Sequence, residues 1–185
     1  MASVPPPWFP IQTARLRLRP FEKGDLDDVH AYASDLETVR FMDWGPNTPE
    51  VTAERLRIAL EEQAAWPRPE VSLAVEAAEA GRVIGSVRLG LDRAGGADFG
   101  YVLGSPWWRR GYAYEAASAL LAVAFGALEL HRVWATCDAR NLGSIALLEK
   151  LGLRREGLLR HDRRGRDGWR DTCVYAVLRE EWAGR

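Results

Sequence analysis

Between Asp98 and Glu115 the chain reads DFGYVLGSPWWRRGYAYE, and the residue types there suit the binding of an anion. An apolar, strand-like run turns at Gly104-Ser105-Pro106 and passes through Arg109-Arg110-Gly111 into a long Ala/Leu-rich helix. A short basic turn between a strand and a helix leaves backbone N–H groups unpaired and pointing outward. The helix dipole adds positive potential at that end, so phosphate groups are favoured there. This is a phosphate-cradle reading; the alternative for Arg109 and Arg110 is a pair of solvated arginines flanking a turn. No GxxxxGK[ST] stands anywhere in the sequence, so a P-loop nucleotide enzyme is excluded.

Other reactive residue types form fewer patterns. Cys137 and Cys173 are the only cysteines, far apart and without metal-ligand spacing, and read as reduced core thiols. His30, His131 and His161 make no HxxxH or HExxH pattern, so no metal site is expected. The net charge is −1, which gives no argument for direct nucleic-acid binding or an anionic membrane. The opening MASVPPPWFP lacks the basic and apolar regions of a signal peptide, and the longest apolar run, Ala116 to Leu128, is short of the roughly 20 residues of a membrane span. A cytoplasmic protein with no membrane partner is expected. The arginine cluster Arg160, Arg163, Arg164, Arg166 and Arg170 reads either as a solvated hairpin or as an attractor for an acidic acceptor such as a peptide carboxylate or ribosomal RNA.

The elements that must position these residues follow from periodicity and punctuation. Residues 1–12 are proline-rich and read as a flexible arm, and 13–182 as one domain. Thr13 to Arg19 alternates as a half-buried strand, and a helix runs from about Leu26 to Ala33. A shorter helical piece spans Leu36 to Phe41, and a longer helix runs from Thr48 or Pro49 to about Trp66, closed by Pro67 and Pro69. Three strands, Val71 to Ala77, Val83 to Leu89 and Asp98 to Leu103, are joined by glycine turns as antiparallel hairpins. The long helix from about Tyr112 to Leu128 is followed by the strand Arg132 to Cys137. A helix from Asn141, its N-cap, to Leu151 ends at Gly152. Leu153 to Leu159 and Thr172 to Leu178 are the last strands, joined by an arginine-rich hairpin from Arg160 to Arg170. The class is α+β.

This order, and four short words within it, resembles the GCN5-related N-acetyltransferases. FGYVLGSPWWRRGYAYEA resembles that family's acetyl-CoA segment. Asn141-Leu142-Gly143-Ser144 with Leu147-Leu148-Glu149-Lys150-Leu151-Gly152-Leu153, the opening TARLRLRPFEKGDLDDV, and Asp167-Gly168-Trp169-Arg170-Asp171 before Tyr175 are similar to its RimJ/RimL branch, which acetylates N-terminal amines of ribosomal proteins. The resemblance implies an α/β/α layered fold with a mixed, mostly antiparallel seven-stranded sheet, splayed between the fourth and fifth strands, and about four helices. It implies acetyl-CoA as the acyl donor, an amine acceptor (a protein N-terminus or a small amine), and homodimers as a frequent assembly.

Roles for single residues follow from the same resemblance. The amides of Arg109, Arg110, Gly111, Tyr112, Ala113 and Tyr114 would anchor the diphosphate, with Gly111 allowing close approach and Ala113 keeping the first turn small. Trp108 holds the first place of the family's turn pattern, where Gln or Arg is usual. Tyr101, Val102 and Leu103 would offer a strand edge to the pantetheine arm, with an oxyanion donor near Val102 or Leu103, and Asn141 would cap the arm or serve as a plain helix cap. Ser144 is the candidate to protonate the leaving thiolate, because Leu148 stands where many relatives place a tyrosine. Asp98 or Asp171 would take the amine's proton, each with the alternative of a solvated strand-end carboxylate. Trp44 and Trp169 are candidates for the acceptor side, while Trp107 and Trp108 are read as locking loops onto the core. Other amines, another acyl group such as succinyl, and a non-catalytic CoA-binding sensor remain alternatives.

Overall fold

Eight strands form one sheet in the order β1-β2-β3-β4-β5-β6-β8-β7. The structure, a computed structural model, describes residues 9–63 and 70–182. The strands are β1 (Ile11–Gln12), β2 (Leu16–Arg19), β3 (Glu70–Ala77), β4 (Arg82–Leu91), β5 (Gly96–Leu103), β6 (Arg132–Asp138), β7 (Arg154–Gly165) and β8 (Gly168–Leu178). The helices are α1 (Leu26–Ala33), α2 (Pro49–Gln63), α3 (Tyr112–Phe125), α4 (Leu142–Lys150) and the single turn α5 (Arg179–Trp182). Every strand pair is antiparallel except β5 with β6.

Side-chain alternation sorts the sheet into two faces. Leu16, Leu18, Val71, Leu73, Val75, Leu89 and Phe99 point to the face covered by α3 and α4, where Ala116, Ala117, Leu120, Leu121, Leu148 and Leu151 meet them. Ala74, Val83 and Val102 point to the other face, under Val29, Tyr32 and Ala33 of α1 and Leu56 of α2. The small residues of α3 let a helix that is apolar nearly all round sit close to the strands. It stops at Phe125, three residues before the expected Leu128, because Gly126 leaves helical geometry (φ −87°, ψ −87°). The ends of α4 agree with expectation: Asn141 Oδ1 accepts from the Ser144 N–H at 3.0 Å, and Gly152 follows at φ 85°.

Three local expectations are corrected. Leu36 to Phe41 is a run of turns, not a helix: Leu36 is 68% exposed, so the segment has no apolar stripe to bury. Instead Asp35 accepts from the Glu37 and Thr38 N–H groups and from the hydroxyls of Thr38 and Ser105. The arginine-rich hairpin is strand for most of its length: β7 and β8 run past the expected ends at Leu159 and Thr172 to a turn at Arg166-Asp167, with a bulge between Leu159 and Arg163. Ile11 and Gln12, at the end of the expected arm, pair with Leu18 and Arg17 as an eighth strand. The close of α2 at Trp66 to Pro69 and residues 1–8 of the arm lie outside the described residues.

Candidate active site

The parallel pairing of β5 with β6 lasts three residue pairs, Gly96 with Arg132, Ala97 with Val133 and Asp98 with Trp134. Beyond them the strands diverge, because β6 continues along β8 as far as Asp138 with Thr172 while β5 stays with β4 as far as Leu103 with Gly85. Backbone direction decides which groups face the opening. The Gly104 N–H donates to Ile84 O on β4 at 2.9 Å, and N–H directions alternate along a strand. Val102 therefore turns its N–H to β4, and Tyr101 and Leu103 turn theirs to the gap. Of the two residues expected to offer an oxyanion donor, Leu103 is the one whose N–H faces the gap. Its carbonyl is taken by the Trp108 indole N–H at 2.6 Å, which also fixes Trp108 onto the strand end.

The gap is a cavity of about 390 Å³ that reaches from Asn141 and Ser144 to Trp44. Tyr101 crosses it: its hydroxyl shares a 2.6 Å hydrogen bond with Ser144 Oγ, joining β5 to the first turn of α4. Burial pushes the tyrosine pKa up, so the phenol stays protonated. Cys137, on the same wall, has its thiol pushed up to about 11 by burial, which keeps it neutral and unreactive. Far apart in sequence, Cys137 and Cys173 stand directly opposite each other on β6 and β8 as free thiols. The Tyr101 side chain was the functional candidate hidden from sequence reading, which assigned only its backbone; strand alternation placing Tyr101 on the α4 face was the available signal.

Past the end of β5 the chain enters α3 through two left-handed residues, Arg109 (φ 59°) and Gly111 (φ 83°). The first intrahelical bond runs from the Glu115 N–H to Gly111 O, and among the described residues no carbonyl takes the N–H groups of Arg109 to Tyr114. Arg109 and Arg110 are exposed and belong to no ion pair among the described residues; Arg110 lies 5.7 Å over the Trp107 ring. Unpaired amides at a helix N-terminus, flanked by free guanidinium groups, fit a diphosphate. A single anion in such a place gains about 0.3–1 kcal/mol from the dipole alone, more when partly buried.

The carboxylates at the far end are all engaged. Asp98 pairs with Arg88, which also reaches Glu70 at 3.3 Å. Asp43 pairs with Arg163 and Arg170. Burial pushes the Asp138 carboxyl up, but hydrogen bonds from Arg140 outweigh it and hold the group below its ordinary range. Asp171 does not line the cavity; its Oδ1 accepts from the His161 N–H at the β7 bulge. Trp44 lines the cavity, whereas Trp169 stands outside it, 61% exposed near the hairpin tip. Three of the clustered arginines turn inward: Arg166 donates to the carbonyls of Val39, Trp44 and Gly45, Arg170 to Phe41 O, and Arg163 to Asp43. They strap the loop that roofs the cavity to the β7–β8 hairpin.

Comparison with known proteins places this architecture. Residues 15–154 match the family model described as an acetyltransferase (GNAT) domain. The uncharacterized N-acetyltransferase YnaD of Bacillus subtilis is 31% identical over 172 residues, covering 93% of this chain and 98% of that protein. The crystal structure of a GNAT-family acetyltransferase from Bacillus anthracis superposes with a TM-score of 0.81 at 29% identity, covering 92% of this chain and 98% of that one. A spermidine N-acetyltransferase from Vibrio cholerae, solved with CoA and spermine, shares the fold at TM-score 0.80 and 21% identity, over 92% and 99% of the two chains.

Proposed function

Since the chain belongs to the GNAT acetyltransferase family and is an N-acetyltransferase, we propose that its acceptor is an α-amine, such as a peptide or protein N-terminus, acetylated directly in a ternary complex. Acetyl-CoA supplies an activated acyl thioester. The Arg109–Tyr114 amides hold its diphosphate, the open edge at Tyr101 pairs with the amides of its pantetheine arm, and Asn141 closes the far side. The Leu103 N–H donates to the carbonyl oxygen as negative charge develops there, a donor of a kind typically worth about 2.7–4 kcal/mol. Ser144 gives its proton to the departing sulfur and is restored by the proton that the attacking nitrogen loses as the amide forms. With Tyr101 as the donor in the hydrogen bond it shares with Ser144 Oγ, the serine proton is left for the ligand.

The observation that carries the α-amine reading is the pairing of every cavity carboxylate with an arginine. A carboxylate held by a guanidinium is a weak base. Asp98 is held by Arg88, and Asp171 lies outside the cavity on the His161 N–H, so neither is assigned the proton, and the acceptor must reach the cavity already neutral. An α-amine, with a pKa of about 7.7–8.0, is about a third neutral near pH 7.5; an alkyl ammonium near 10.4 is about a thousandth neutral. The paired carboxylates also leave no surplus negative charge to attract a polyamine such as the one bound by the Vibrio cholerae enzyme.

Thiol release from acetyl-CoA, followed with peptides bearing free or blocked N-termini, with lysine-only peptides and with spermidine, tests the assignment. Turnover is expected with free N-termini, rising with pH through about 8 as the amine loses its proton. Faster turnover of spermidine or of lysine side chains would overturn it, and coenzyme binding without turnover of any amine would mark a sensor.

A further inference from the structure

The cradle at the start of α3 is held by more than its own sequence neighbours. A residue near the beginning of the chain, Arg15, reaches it from the turn between β1 and β2. Arg15 Nη1 donates to Arg110 O at 2.8 Å, and its Nε and Nη2 lie 2.8 and 2.7 Å from Glu115 Oε2. The Arg15 backbone N–H and the Thr13 hydroxyl both donate to Glu115 Oε1, at 2.8 and 2.6 Å. The guanidinium lies 4.4 Å over the Tyr112 ring, and Arg15 O accepts from the Ala78 N–H at 2.9 Å, so the residue is fixed from its other side by the end of β3.

Two consequences follow for an anion in the cradle. Arg110 C=O and Gly111 N–H belong to one trans peptide unit and point to opposite sides of it. A carbonyl pinned inward by Arg15 therefore turns the Gly111 N–H outward, toward the ligand. Glu115, in the first turn of α3, would otherwise compete with a phosphate for the positive end of the helix. Burial pushes its carboxyl up, yet the hydrogen bonds from Thr13 and Arg15 more than reverse this, so the group is ionised and needs its countercharge. A Cβ at Gly111 would come within 3.2 Å of Arg15 Nη2, so the brace stands directly behind the amide it orients.

We infer that Arg15 is a positioning residue for coenzyme binding, which aims the Gly111 amide at the diphosphate and neutralises Glu115 beneath it. The inference rests on the reading of Arg109 to Tyr114 as the diphosphate site. Its test compares CoA, which carries the diphosphate, with pantetheine, which carries the arm alone, on the full chain, by calorimetry for the first and ligand-observed NMR for the second. Wild type is expected to bind CoA far more tightly than pantetheine; equal binding of the two would sink the diphosphate site, and the Arg15 assignment with it. Arg15→Gln is expected to weaken CoA about ten-fold, as loss of charge-assisted hydrogen bonds does, and to leave pantetheine unchanged. Arg15→Lys keeps a charge near Glu115 but cannot also hold Arg110 O, and is expected to lie between the two, about three-fold weaker for CoA. Equal weakening of both ligands by Arg15→Gln would show a general packing defect, and no weakening of CoA would remove the role altogether. Arg15→Lys binding CoA like wild type would show that the carbonyl contact aims nothing. Each of these three results overturns the inference.

Discussion

Ser144 and Tyr101 touch each other across the open end of the sheet, yet they contribute unequally. Ser144→Ala is expected to lower kcat about 10²-fold with little change in KM for acetyl-CoA, because a positioned proton donor acts on the chemical step. Tyr101→Phe keeps the ring that spans the cavity and is expected to cost only a few-fold in the same thiol-release assay, since it removes the partner of the donor rather than the donor. Asp98→Asn is expected to lower kcat less than ten-fold, against the larger loss that a general base would show. The place of the serine in the first turn of α4 was legible from the Asn141 cap, and its proposed role only from the family resemblance. The tyrosine hydroxyl and the state of Asp98 were not, because both depend on what a neighbouring element places opposite. Sequence spacing says nothing of Arg88 reaching across from β4 to Asp98, or of His161 occupying Asp171.

Elements with strong local punctuation were readable from the chain: α4 between its Asn141 cap and Gly152, and α3 after its glycine turn. Where a segment lacked an apolar stripe, as at Leu36 to Phe41, helix-forming residues alone could not decide its state. The Arg160–Arg170 segment misled in the opposite direction. Its charge suggested a solvated hairpin or an attractor for an acidic acceptor, but Arg166 and Arg170 reach inward to loop carbonyls. The entry to α3 gives the prediction at this scale. Gly111 sits at φ 83°, a conformation costing an L-residue roughly 1–2 kcal/mol. Gly111→Ala is expected to lose about that much stability in urea unfolding and to weaken CoA in calorimetry, because the amide it carries moves.

Taken whole, the divided sheet was legible only through the family resemblance, which implied the splay; strand periodicity reports which residues are covered, not where two neighbours part. Charge is also distributed as internal straps, with Asp138 beneath the cavity fully buried and held by Arg140. A carboxyl whose folded pKa is depressed contributes stability that is complete above its unfolded value near 3.9 and is lost as pH falls through the lower folded value. Asp138→Asn is therefore expected to be less stable than wild type at pH 7, with the difference shrinking below about pH 4 when urea midpoints are compared. The short contact between β5 and β6 has a mechanical corollary. Only three residue pairs sew the two halves of the sheet together, so a coenzyme lying along the open seam acts as a missing strand, with mortar as well as chemistry to offer. Amide hydrogens of Tyr101 and Leu103 should exchange rapidly in the empty protein and slow markedly once CoA fills the seam, while those of β3 stay protected in both states. The enzyme would then stiffen only when loaded, and product release would be the moment at which its two halves come free of one another.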